Sequence, residues 1–350
     1  MELIILDNLK ISKAVKRLYF IFNLQAGRQP VKVVKTAIGG DLAEIIDRFT
    51  KAGYEVTARP TQDRGDAVSA SKYACENGFD LVLCAGGDGT LSECIDGVMQ
   101  SGKKVPVGYI PVGTTNDFSK GLGVPDKILD ACDWIIDGIN NNTYLSCDIG
   151  SLNKNRHFTY IAAFGAFTNV TYETSQHWKN IFGHSAYLVN GATQLTTIKS
   201  RKVRIECNDE IIEDDFAFGM ITNTKKVGGL FNCNNFLLDD GIYEVTFVKT
   251  PSNVMQLQKI LVSLFNGKRP EDAKDYIRYF KTGKLKITSL DENPLIWNLD
   301  GEYGGEFIES EIENNQKAVT FIVGSEYTEN VSMIETNSID SNSENSESKD

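Results

Sequence analysis

The chain predicts an α/β domain built on a doubly wound parallel sheet, followed by an antiparallel β-sandwich domain. Three observations carry this. Over residues 18–150 short apolar runs alternate with segments of helical period, the pattern of successive β-α-β units. After about 145 the pattern changes to period-2 segments separated by Gly, Asn and Asp, which reads as strands joined by turns. At 350 residues the polypeptide also exceeds one typical domain. We place the first domain at 1–145 and the second at 146–324, with the chain beyond about 324 returning to the first domain and a disordered acidic tail at 329–350.

In the first domain the strands are LYFIFN (18–23), YEVTAR (54–59), DLVLCA (80–85) and VPVGYI (105–110). A helix over about 41–52 sets Leu42, Ile45, Ile46 and Phe49 on one face, and further helices fall at about 65–77 and 89–101. An open sheet of this kind binds ligands beyond the carboxyl ends of its strands, so the loops after Phe22, Ala85 and Ile110 should line one crevice. The second domain offers HFTYIAAF, KVRIECN, FAFGMIT, IYEVTFV, KLKITSL, LIWNLD and AVTFIV as strands, with one helix at about 174–198. Another helix, VMQLQKILVSLFNG, puts Val254, Leu257, Ile260, Leu261, Leu264 and Phe265 on one stripe, which reads as a core face before a membrane-facing one.

Composition excludes several classes. No apolar run approaches the roughly 20 residues that a bilayer crossing needs. The opening MELIILDNLKISKAVKR carries Glu2 and Asp7 and no small-residue cleavage site, so we place the protein in the cytoplasm. Seven cysteines without a C-x-x-C, and His157, His177 and His184 without an H-x-x-x-H, argue against disulfides and zinc. The net charge of −11 argues against a nucleic-acid partner, although part of it sits in the tail, where six acids meet one lysine.

The loops carry the chemistry. Gly86-Gly87-Asp88-Gly89-Thr90 follows an apolar strand and opens a helix; glycines there let the backbone approach a ligand, and a helix N-terminus offers N–H groups to an anion. Asp88 reads either as a helix N-cap or as an acid tolerated beside phosphate because a cation lies between them. The next strand's loop, PVGTTNDF, again supplies a glycine (Gly113), hydroxyls (Thr114, Thr115) and an acid (Asp117). Asp148, in SCDIGSLN, either joins those acids around a hydrated metal or is a turn residue. Asn23 and Gly27 lie just past the first strand and Thr61 past the second. The chain has no G-x-x-x-x-G-K-[ST], and no G-x-G-x-x-G opens a helix after strand one, which argues against a P-loop enzyme and a dinucleotide dehydrogenase. Downstream, WNLDGEYGG breaks a strand at Asp300-Gly301-Glu302, which reads either as a hairpin turn or as the acceptor of a hydroxyl proton.

NLQAG, GGDGT, PVGTTNDF, LLDDGIYEV and LDGEYGG, in that order, resemble the soluble bacterial diacylglycerol kinase and lipid kinase family, related to sphingosine kinases and more distantly to NAD kinases. The likeness covers about residues 18 to 325. It implies a kinase that moves the γ-phosphate of ATP to the hydroxyl of diacylglycerol, with a sphingoid lipid, NAD or an inactive sensor as the alternatives. ATP would bind through Asn23, Leu24, Gln25, Ala26, Gly27, Thr61, Gly86, Gly87, Asp88, Gly89, Thr90, Leu91, Ser92 and Thr114. Mg²⁺ would be organised by Asp88, Asp117 and Asp148, and the catalytic pair would be Asp300, as base, helped by Glu302. A structural Mg²⁺ would take the Asp240 side chain and the carbonyls of Leu237 and Ile242. One departure is Leu24, where the family has proline. A lipid substrate implies transient contact with the inner face of the membrane, for which Lys199, Arg201, Lys202 and Arg204, or Lys225 and Lys226, offer cations. A homodimer is compatible with the resemblance.

Overall fold

The computed structural model describes residues 15–24, 37–113, 116–165, 199–224, 226–227, 231–232, 237–266 and 275–327. The expected helix at about 174–198 and the tail at 329–350 lie outside the described residues. In chain order the elements begin β1 (Lys16–Phe22), α1 (Ala37–Lys51), β2 (Tyr54–Pro60), α2 (Asp66–Glu76), β3 (Leu81–Gly86), α3 (Asp88–Ser101) and β4 (Val107–Pro111). Then come α4 (Asp117–Leu122), α5 (Ile128–Asn141), β5 (Tyr144–Leu152), β6 (Arg156–Phe158), β7 (Ile161–Gly165), β8 (Arg201–Cys207) and β9 (Glu210–Thr222). The rest are β10 (Lys226–Val227), β11 (Phe231–Asn232), β12 (Tyr243–Lys249), α6 (Val254–Asn266), β13 (Ile277–Thr282), β14 (Lys284–Ser289), β15 (Leu295–Leu299), β16 (Glu302–Phe307) and β17 (Glu309–Ile322).

The first half is a parallel sheet in the order β4-β3-β1-β2, with Leu18 opposite Leu81 and Tyr54 opposite Lys16. Every residue of β3 is buried, as expected of a parallel strand covered on both faces. Between β1 and β3 the strand order reverses direction, the switch point at which such sheets open a crevice. Helices α2 and α3 pack closely because Gly97 has no side chain: a Cβ there would lie 2.1 Å from Ser71 Oγ and 2.2 Å from the Val68 carbonyl oxygen. Helix α5, which the sequence reading did not single out, packs against α1 through an apolar face that includes Ala131, Cys132 and Ile135.

The second half is antiparallel, in the order β16-β15-β7-β9-β8-β14-β17. β9 pairs with β8 along its first part and lies between β7 and β12 along its second, which bends the sheet around one aromatic core. In that core Phe164 meets Trp297 edge-on at 5.2 Å, Phe216 lies 5.1 Å from Phe247, and the buried Trp297 Nε1–H donates to Ser310 Oγ at 2.8 Å. Leu257 and Ile260 of α6 are buried, so that part of its apolar stripe is a core face.

The two halves share one ladder. β17 pairs with β14 at its start, runs beside β5 throughout, and at Phe321 joins β4 in parallel register. The chain therefore re-enters the parallel sheet at the end of β17. The register of β5 and β17 breaks between Asn315 and Val319, and Lys317 there takes a left-handed backbone (φ 51°).

Candidate active site

The carboxyl ends of the parallel strands meet at their loops. Asn23 N–H donates to Ala85 O at 3.0 Å, Val112 N–H to Gly86 O at 2.8 Å and Thr61 N–H to Phe22 O at 2.9 Å. Asn23 Nδ2 reaches Thr90 Oγ1 at 3.3 Å. A Cβ on Gly113 would come 2.6 Å from the Gly87 Cα, so the loops after β3 and β4 touch backbone to backbone. What remains above them is the start of α3, whose first amides have no helical acceptor.

Asp88 does not cap its own helix; Gly87 stands at that position and makes no side-chain bond. The carboxylate instead accepts from the amides of Asp117 (3.2 Å) and Phe118 (3.4 Å), holding the first turn of α4 against the glycine loop. Burial, then the negative charge of Asp117, push the Asp88 carboxyl up to about 6, with Asp300 adding to the same effect. Lys120 Nζ lies 3.4 Å from Asp117 Oδ1. Two buried carboxylates side by side at a phosphate cradle are a donor set suited to a hard divalent cation.

Asp300 and Glu302 differ sharply. Asp300 is buried and holds a left-handed backbone (φ 50°). Its carboxylate accepts from Thr159 N (2.6 Å), Thr159 Oγ1 (3.0 Å), Tyr160 N (3.0 Å) and Ile161 N (3.1 Å). Burial nevertheless holds its carboxyl above the ordinary value, against the pull of those donors. Glu302, by contrast, lines an open cavity, with Arg64 Nη2 3.5 Å from its Oε2. Of the two, Glu302 faces the cavity and Asp300 is held in a cage of amides.

Asp148 stands apart from the Asp88–Asp117 pair. It accepts from Gly241 N (2.6 Å), Lys317 N (2.8 Å) and Asn314 Nδ2 (3.2 Å), so it joins the 238–241 turn to the β17 irregularity. Among the described residues no three His, Cys, Asp or Glu side chains converge to hold one ion. Asp240 is raised above the usual carboxylate range by burial, and the neighbouring Asp148 and Asp239 add to the rise. Leu237 and Ile242 flank it with exposed side chains.

A cavity of about 700 Å³ lies between the two halves. Of the expected residues it collects Asn23, Thr61, Gly87, Gly89, Thr90, Ser92 and Glu302. Gln25, Ala26, Gly27 and Thr114 lie outside the described residues. Leu24 packs against the apolar core of the first half. Gly86 lies beneath the cavity, where a Cβ would meet Thr90 at 2.5 Å. Leu91 has its side chain fully buried, and its amide donates to Gly87 O at 3.1 Å. Sequence reading missed Arg64, Glu93, Asp96, Arg156, His157 and Tyr303, all on the cavity wall. Gly89, Ser92, Glu93 and Asp96 follow helical spacing, so a polar stripe along α3 was the available signal. Of the suggested cations, Arg201 pairs with Asp291 and Arg204 with Glu206 and Glu213, while Lys225 lies outside the described residues. No helix among the described residues is long and apolar enough to cross a membrane.

A glycine-lined anion cradle on a parallel sheet, facing a carboxylate carried by an antiparallel half, defines a kinase of the two-domain α/β-plus-β class. The family model for the diacylglycerol kinase catalytic domain matches residues 17–146. A diacylglycerol kinase of Bacillus subtilis (strain 168) is 33% identical over 293 residues, covering 83% of this chain and 91% of that one. One of Staphylococcus carnosus (strain TM300) is 34% identical over 292 residues, covering 83% and 90%. A crystal structure of a putative diacylglycerol kinase from Bacillus anthracis shares the fold with a TM-score of 0.69 at 24% identity, over 89% of this chain and 98% of that one. The chain belongs to the diacylglycerol kinase family.

Proposed function

We propose that this chain transfers the γ-phosphate of ATP to the free hydroxyl of diacylglycerol, giving phosphatidic acid for phospholipid synthesis, while in transient contact with the cytoplasmic face of the membrane. The observation that carries the reading is the position of Glu302, which faces the first turn of α3 across the cavity. The amides at the start of α3, with Asn23, Thr61, Thr90 and Ser92, would hold the phosphates. Glu302 takes the proton of the lipid hydroxyl as its oxygen forms a bond to the γ-phosphorus, and the bond to ADP breaks in line. Asp300, held by four donors, fixes the turn that presents Glu302.

Asp88 and Asp117 fit Mg²⁺, because both are buried carboxylates at the start of α3 and α4, and burial beside Asp117 raises the Asp88 carboxyl, which a cation would relieve. Bound there, Mg²⁺ would offset the negative charge of the nucleotide phosphates. Asp148 would support that pair from behind through the shared β5–β17 ladder, and the Asp240 turn, with the carbonyls of Leu237 and Ile242, would hold a second, structural ion.

Incubating the protein with labelled ATP, Mg²⁺ and either diacylglycerol micelles or NAD tests the reading. The expected product is a lipid phosphomonoester identified by mass spectrometry. Label on NAD, or on neither acceptor, counts against it.

A further inference from the structure

We propose that Asp96 and His157 form a clamp across the cleft that sets where Glu302 stands relative to the nucleotide cradle; this rests on the kinase reading above. His157 donates from Nδ1 to Oδ1 of Asp96 at 2.6 Å, and the two side chains are only 12% and 25% exposed, so water competes weakly for the bond.

Each end of the pair is tied to one side of the reaction. Asp96 lies on α3, the helix whose first residues form the cradle. His157 lies on β6, paired opposite Ser151 of β5, and β6 leads directly into the three amides of Thr159, Tyr160 and Ile161 that grip Asp300. Asp300 and Gly301 both hold left-handed backbones (φ 50° and 89°), and Glu302 follows. The chain from His157 through the amide cage to Glu302 is thus a short, bonded path. Any slip of β6 along α3 moves Glu302 relative to Gly89, where a methyl group would already sit 3.3 Å from its Oε1.

The ion pair of Arg64 with Glu302, also across the cleft, is longer at 3.5 Å and has its arginine 65% exposed, so it restrains the gap less. Asp96 and His157 act here as positioning residues, through the Asp300 cage. Displacing a reacting group by about 1 Å can cost on the order of a hundredfold in rate.

The test compares His157→Phe, Asp96→Leu and the double variant of the full chain, with kcat and KM for ATP measured on diacylglycerol micelles and binding of a fluorescent ATP analogue measured separately. We expect each single variant to lose about tenfold to a hundredfold in kcat, analogue affinity to change less than about threefold, and the double variant to be no slower than the worse single. His157→Asn, whose amide nitrogen stands where Nδ1 stood and can still donate to Asp96, should recover kcat to within about threefold of the parent. Should His157→Phe fail to fold, His157→Ala and Asp96→Ala, each paired with a melting curve, carry the same comparison. Singles within twofold of the parent in kcat, losses that multiply in the double variant, or a loss confined to KM for ATP overturn the clamp. A parent chain that moves no phosphate to diacylglycerol overturns the kinase reading instead, and the clamp with it.

Discussion

A methyl group on Gly89 would lie 3.3 Å from Oε1 of Glu302, so the helix that opens the cradle and the turn that carries the acid stand at contact distance. The contact joins residues more than two hundred positions apart, and it is where a donor phosphate and an acceptor hydroxyl would have to meet. Gly89→Ala therefore displaces the end of a flexible side chain without touching the backbone. We expect kcat to fall about threefold to tenfold with melting temperature unchanged within a degree or two, checked by steady-state kinetics and thermal denaturation.

Glu302 and Asp300 separate chemistry from architecture. Glu302→Gln removes a proton acceptor from the cavity and should lower kcat by about two to four orders of magnitude while leaving the melt intact. Asp300→Asn points an amide at donors that need an acceptor, and should cost about 2–4 kcal/mol of stability in addition to activity. Denaturant melts of both variants decide this: equal stability losses would contradict the division of roles.

The pH response of Asp88 has a definite sign. Its carboxyl rises from 3.8 to about 6 on folding, so the folded chain binds that proton more tightly than the unfolded chain. The stability gained is complete below 3.8 and is lost as the pH rises through about 6. Without divalent cations, the melting temperature of the parent should drop by a few degrees more than that of Asp88→Asn between pH 5 and pH 7.5. Adding Mg²⁺ at pH 7.5 should stabilise the parent and not the variant.

Two glycine substitutions should fail in different ways. Gly97→Ala forces a carbon to within 2.2 Å of the Val68 carbonyl oxygen, between α2 and α3, and should cost about 1–3 kcal/mol or more with little change in KM for ATP. Gly113→Ala drives a carbon to 2.6 Å from the Gly87 Cα and opens the cradle itself, so KM for ATP should rise at least about tenfold. Melting curves beside nucleotide titrations distinguish the two.

Much of the fold was written in local pattern. The apolar runs at Leu18, Leu81 and Val107 and the face of Leu42, Ile45, Ile46 and Phe49 announce strands and a helix, because burial on one or both faces leaves a period that a linear reading detects. The glycine loops were equally legible, since a backbone that must approach an anion excludes side chains over consecutive positions. Helix α5 was missed although its apolar face is strong, and nothing local marks the point where β17 leaves β14 for β4.

The sequence by itself determined the two kinds of sheet, the cradle and the acidic residues available to it, all of which follow from residues close together along the chain. Tertiary structure decided which acid does what. Asp300 and Glu302 are two positions apart, yet one turns into a cage of amides from residues 159–161, where β6 passes into β7, while the other faces α3. Asp88 bonds to the start of α4 rather than to its own helix, and Asp148 serves a turn and a strand irregularity. Carboxylates look alike in a sequence; their roles are set by donors and burial that arrive from distant segments, as when Asp96 finds His157.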